Sequence, residues 1–241
     1  MNPKKFLLKL IMTILMNSFI VSLCSGQALI FLYFFGDKFA SEELHLSTDV
    51  ALNISPISDL KKGNSMLGVN FGLGFHIRIN DRWQVVPQFR PLSTKGARNA
   101  NPIIEVPSDF DVRETDYTLN HMDFPVLFRY KISEVLFFSA GPQISILTSA
   151  KQKSTARYIN EAETLLRFDV KDYFKKTCYS FPVEVGYWFR LPEKKSIQNT
   201  KMSVFIRYCA SLNYAFKDRE AYGDIRISTL QVGVSFVTIK D

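Results

Sequence analysis

Hydrophobic and polar positions alternate along most of this chain with a period of two, the spacing that sends successive side chains of a strand to opposite faces. The clearest stretch is Gly68 to Ile79, where Val69, Phe71, Leu73, Phe75, Ile77 and Ile79 fall on one side. Gly68, Asn70, Gly72, Gly74, His76 and Arg78 fall on the other. The same alternation predicts strands over 44–54, 83–92, 117–132, 135–147, 178–190, 201–214 and 225–237, eight in all. Each is long enough to cross a membrane when tilted, which takes about 9–11 residues, whereas soluble strands average about 5–6. The connections alternate as well. Those after the second, fourth and sixth strands are short; those after the first, third, fifth and seventh are longer and polar. The predicted fold is all-β, an eight-stranded antiparallel up-and-down transmembrane β-barrel with short periplasmic turns and long external loops.

Face chemistry separates this reading from a soluble barrel. The apolar faces carry no formal charge over their central stretches, and Trp83, Tyr130, Tyr187 and Tyr214 sit near strand ends as an aromatic girdle would. The opposite faces hold Gly, Ser, Asn and Gln with a few ionic residues, a composition that suits a narrow interior. A lipocalin-like secreted binder would reverse the pattern, with charges outward. An eight-stranded barrel is just wide enough for its own side chains to fill. The inward ionic residues Asp49, Arg78, Arg90, Asp123, Arg129, Glu184 and Arg207 are therefore expected to pair as a structural network in the lumen. Pro87 and Pro91 weaken their strand, since proline cannot donate to the ladder.

The first residues add a location. Lys4, Lys5 and Lys9 border the apolar run 6–23, and small residues follow, which is the layout of a secretory signal peptide over 1–26. Residues 27–43 form an apolar lead-in, whose run 28–35 is read as a short helix at the periplasmic mouth, and 44–241 form the outer-membrane barrel. The formal charge of +7 falls to +4 without residues 1–26, which contain three lysines and no acid. So mild an excess on an exported chain does not call for nucleic acid. Cys178 and Cys209 lie on the inward face of neighbouring strands. Two separate buried thiols are expected there, because bridge geometry is demanding.

Little in the sequence suggests chemistry. His121 and Asp123 share a face near the outer end of the fourth strand, and a rim hydrolase would draw on them. No motif marks a nucleophile, no Cys/His spacing suits a metal, and no glycine-rich loop suits a phosphate cofactor. The chain reads as non-enzymatic and without cofactors. In the loop over 148–177, residues 160–168 and 170–174 are each read as a helical turn or two.

The stretches GVNFGLGFHIRINDRWQVVPQFR, HMDFPVLFRYKI with FFSAGPQISI, and FPVEVGYWF resemble the PorT-like outer-membrane β-barrel family. The resemblance spans 50–236 and implies an eight-stranded membrane barrel, with one branch of the family tied to a secretion system for cell-surface proteins. It carries over no functional residue. Outer-membrane lipid is the expected environment, and envelope or secretion-machinery proteins are the expected partners, reached through loops 93–116 and 148–177. A small-solute channel is the alternative role. A folded barrel extracted in detergent is expected to migrate faster on a gel unboiled than boiled; a freely soluble protein without that shift would sink the membrane reading.

Overall fold

The computed structural model describes residues 43–55, 57–58, 64–107, 109–158, 163–189 and 200–238. The signal peptide over 1–26 and the lead-in up to residue 42 lie outside the described residues. Twelve strands follow in order: β1 (Leu44–Ser55), β2 (Ile57–Ser58), β3 (Asn64–Arg78), β4 (Trp83–Arg98), β5 (Phe110–Lys131), β6 (Leu136–Ala140), β7 (Gln143–Tyr158), β8 (Glu163–Asp169), β9 (Thr177–Phe189), β10 (Thr200–Ser211), β11 (Arg226–Ile227) and β12 (Thr229–Thr238).

Ten of them form one sheet, and all its pairings are antiparallel. Pairing runs β1–β3–β4–β5, on through β6 and β7 to β9, then β10, β12 and back to β1. The sheet is a closed ring of eight walls. The strand count differs from eight because the fifth wall is broken at Gly141 and Pro142 into β6 and β7, both of which pair with β5 and β9. Proline cannot extend the ladder there. β8 adds a tenth strand outside the ring, and β2 and β11 form a separate ribbon.

Hydrophobic side chains cover the outside of the ring. Val69, Phe75 and Ile77 on β3, Phe124, Val126 and Phe128 on β5, and Phe181, Val183 and Val185 on β9 are all exposed. A soluble protein would leave that much apolar surface open only at an interface, and a bilayer covers it. At the short-turn end Trp83 packs on Tyr130 with centroids 5.0 Å apart, and Arg82 donates to the Tyr130 hydroxyl.

The outer connections are more ordered than the polar composition suggests. β4 and β5 run on beyond Leu92 and before Tyr117, so much of loop 93–116 is hairpin. Residues 163–169, within a stretch expected to turn as helix, form β8 and pair with β7 from Lys151↔Asp169 to Arg157↔Glu163. A ready sheet edge outweighs weak local helix propensity. Lys171–Tyr173 does form one 3-10 turn.

Two irregularities change which residues face inward. Between Arg90 and Ser93 the β4 strand holds one residue more than its partner, placing a bulge at Pro91 and Leu92. A similar shift puts an extra residue, Thr148, in β7. A bulge reverses the alternation beyond it. Ser93, Lys95 and Ala97 are therefore buried with Arg90.

Packing inside the ring is close. Gly186 faces Phe137 across β9 and β6, and a Cβ at Gly186 would collide with the Phe137 ring. Gly186→Ala is expected to destabilise the barrel by about 1–3 kcal/mol, the cost of overpacking, read as a lower urea midpoint for the gel-shifted form. In a Phe137→Leu background the same change is expected to cost much less, which a double-mutant cycle reads directly.

Candidate functional site

The interior is organised in three levels, and cross-strand register creates the middle one. Arg129 on β5 faces Ser139 on β6, Ser139 faces Glu184 on β9, Glu184 faces Arg207 on β10, and Arg207 faces Gln231 on β12. One row of the sheet thus carries five polar side chains across five walls. Arg129 donates Nη2 to Glu184 Oε1 at 2.8 Å and Nε to Ser139 Oγ at 3.0 Å, and Ser139 donates to the same carboxylate oxygen at 3.1 Å. Arg207 donates Nε to Glu184 Oε2 at 2.9 Å, and its Nη2 reaches the same oxygen.

The chain of contacts continues around the lumen. Arg207 Nη1 donates to Gln88 Oε1 at 3.1 Å, and Gln88 Nε2 donates to Asp49 Oδ2 at 2.9 Å. Arg90 donates to that same oxygen at 3.4 Å and to Gln231 Oε1 at 2.9 Å. Asp49, Arg90, Arg129, Glu184 and Arg207 are all buried. Three guanidiniums meet two carboxylates. Aromatic faces supply further compensation: the Arg129 guanidinium lies 4.0 Å from the Phe137 ring centre and that of Arg207 5.1 Å from Phe205.

Arg78 does not join this network. It is the last residue of β3, half-exposed, and pairs with Asp81 in the following turn. Its position at the strand end leaves the turn carboxylate within easier reach than any lumen acid.

Toward the external loops lies a second buried pair that sequence pattern did not expose. Lys95 Nζ donates to Asp123 Oδ1 at 3.2 Å and to Ser145 Oγ at 3.4 Å. Lys95 faces inward only because of the bulge; uninterrupted alternation from Arg90 would have aimed Thr94 there instead. Pro91 inside a strand was the available signal. His121 and Asp123 are both buried here, with Asp123 engaged by Lys95. The adjoining cavity, about 10 Å³, is also lined by Cys178 and Cys209, both free thiols. Its volume is about that of one water probe, too small to hold an organic substrate beside His121. Among the described residues, no three His, Cys, Asp or Glu side chains gather as a metal site.

Above this level the polarity of the wall inverts. Within the membrane, inward residues are polar and outward ones apolar. From the level of Leu147 outward, the inward residues are Ala97, Tyr117, Leu119, Leu147 and Ala150, while Thr94, Asn120 and Ser149 form a hydrogen-bonded polar ladder outside. The inward group packs against Val170, Phe174, Ala215, Phe216 and Ile225 from the external connections, and the Phe174 and Phe216 rings stack at 4.5 Å. Gln152 fastens loop 101–104 over this core, accepting from the Ile103 and Ile104 N–H groups at 3.0 Å and donating to the Ile104 carbonyl at 2.8 Å. Tyr117 donates to the Asn101 carbonyl at 2.6 Å, and burial pushes its phenol pKa up. The lumen is closed twice, by ions in the middle and by an apolar plug outside.

Glu184 is the acid shared by Arg129 and Arg207. Glu184→Ala is expected to destabilise the barrel by about 3–5 kcal/mol, because two buried guanidiniums lose their counter-charge. Equilibrium urea unfolding in detergent, followed by Trp188 fluorescence, reads the loss.

The outer membrane protein beta-barrel domain family matches residues 39–217. Three solved structures are similar at low identity. Neisserial surface protein A shares 11% identity over 82% of this chain and 97% of its own, with a TM-score of 0.44. OprG from Pseudomonas aeruginosa shares 10% over 83% and 98%, with a TM-score of 0.43. Ail, the attachment invasion locus protein of Yersinia pestis, shares 14% over 82% and 99%, with a TM-score of 0.40. No curated protein matches the chain. With a closed ring, an apolar exterior and a family match over most of its length, the chain belongs to the outer membrane protein beta-barrel domain family and resides in the lipid of the outer membrane.

Proposed function

We propose that this protein is a non-enzymatic, non-conducting outer-membrane barrel whose ordered outer head binds a protein partner in the envelope. The observation that carries this reading is the double closure of the lumen. A solute channel would need a continuous wet path, and here the ionic row and the apolar plug both lie across it. The buried position of His121 and Asp123 equally disfavours a rim hydrolase.

What remains exposed and structured is the sheet of β5, β7 and β8 above the membrane. Its solvent face carries mixed charge in register, with Asp116 beside Lys153 and Arg167, and Asp111 beside Arg157 and Glu163. Arg113 and Glu163 pair across it at 3.4 Å. Such a surface is soluble alone and offers a charge pattern to a complementary protein. One branch of the PorT-like family, which the barrel stretches resemble, is tied to a secretion system, and secretion-linked assembly is one role, beside envelope integrity, that such a head would fit.

The test has two arms. Liposomes carrying the purified barrel are expected to take up small sugars no faster than protein-free liposomes; rapid uptake would overturn the closed-barrel reading. Lys153→Glu with Arg167→Glu is expected to leave the gel shift intact while lowering crosslinked complex in the native envelope at least tenfold. Unchanged crosslinking would remove the head face from the proposal.

A further inference from the structure

Within the ring each strand has a neighbour on both sides, but β8 pairs with β7 alone. Its second edge lies above the membrane. That edge is seven residues long and contains neither a proline nor a bulge, two devices that commonly blunt an open strand.

Register sets what the edge offers. The Val170 N–H donates to the Ala150 carbonyl, and pairing then runs without a shift from Lys151↔Asp169 to Arg157↔Glu163. Bonded and non-bonded pairs alternate in an antiparallel ladder, so Phe168, Leu166 and Thr164 turn their backbone groups to β7. Glu163, Leu165, Arg167 and Asp169 turn theirs away. Among the described residues, no strand or loop backbone bonds to this outer row. Unpaired N–H and C=O groups at every second residue of an extended chain are a template for one more strand.

Side chains on the same row say which strand fits. All four are exposed, Leu165 by 48%. Across the head they end the rows Asp111–Arg157–Glu163, Glu114–Thr155–Leu165, Asp116–Lys153–Arg167 and Thr118–Lys151–Asp169. Lys153 and Arg167 stand side by side as like charges, and an acid beyond Arg167 would relieve them. A cation complements Glu163 and Asp169, and an apolar residue covers Leu165.

We propose that β8 is completed by an extended segment of a partner protein, added antiparallel like every other pairing in this sheet, with cation, apolar residue and acid opposite Glu163, Leu165 and Arg167. This rests on the reading that the head binds a protein, and it names the mode of binding. A second copy of the chain in the same membrane cannot take the place. The two-fold axis that pairs two β8 edges in one antiparallel ladder lies along the sheet normal, and it would invert one barrel.

The probe is a capped, dye-labelled peptide, Lys-Val-Glu-Ile-Val-Thr-Lys. Its first, third, fifth and seventh residues fall opposite Asp169, Arg167, Leu165 and Glu163. With the full barrel in detergent it is expected to give a saturable rise in fluorescence anisotropy and to slow hydrogen exchange at the Leu165 and Arg167 amides at least tenfold. N-methylation at its third and fifth residues, whose N–H groups face β8, is expected to weaken binding at least tenfold. The same change at its fourth and sixth residues, which face away, is expected to leave binding within twofold. A charge-reversed peptide is expected to bind at least tenfold more weakly. Leu165→Pro with Arg167→Pro removes two outward N–H groups and none bonded to β7. That variant is expected to abolish binding while the gel shift and the protection of the Leu166 and Phe168 amides stay unaltered. No saturable binding, indifference to the site of methylation, or equal binding of the charge-reversed peptide would overturn the proposal. If the peptide fails while crosslinking in the envelope still falls with Lys153→Glu and Arg167→Glu, the edge is excluded and the partner-binding head stands.

Discussion

Lipid offers no hydrogen bonds, and that constraint organises the whole molecule. Every backbone N–H and C=O within the bilayer must find its partner in the chain, so the sheet has to close. Closure with eight walls leaves an interior only wide enough for side chains. The polar residues that face inward are therefore pressed together, and the ionic ones survive only because register sets each beside its complement. Glu184 between Arg129 and Arg207 is the clearest outcome, since both contacts follow from one row of strand pairing.

The same wall serves two solvents. In the membrane it is a barrel with its polar side in; above the membrane it is the wall of a small water-soluble core with its apolar side in. Two bulges, at Pro91–Leu92 in β4 and at Thr148 in β7, accompany the change. They shift which residues point inward without ending the sheet, letting Lys95 join Asp123 while Thr94 joins the outer ladder with Asn120 and Ser149.

Alternation made the ring legible, because facing is a period-two property that short-range sequence carries in full. Asp49, Arg129, Glu184 and Arg207 could be placed inward from it. It could not place Lys95, since an extra residue reverses parity and only Pro91 hinted at it. Nor could it exclude Arg78, whose facing was read without its height along the axis. The outer core was hidden for a related reason. Leu119 and Tyr117 continue the inward series of β5, but recognising them as core requires knowing where the lipid ends, and Phe174 and Phe216 lie in charged connections whose partners are distant in sequence. The polarity exchange at Asn120 and His121 was the trace left in the chain.

The apolar plug has a consequence for how the molecule is assembled. Phe174, Phe216, Leu119 and Leu147 pack together on the far side of the bilayer from the compartment the chain enters first. Neither an assembled head nor any folded part of it could pass through a lumen that an arginine side chain fills. The stacked rings of Phe174 and Phe216 thus belong to a core that can close only on the outer side of the bilayer.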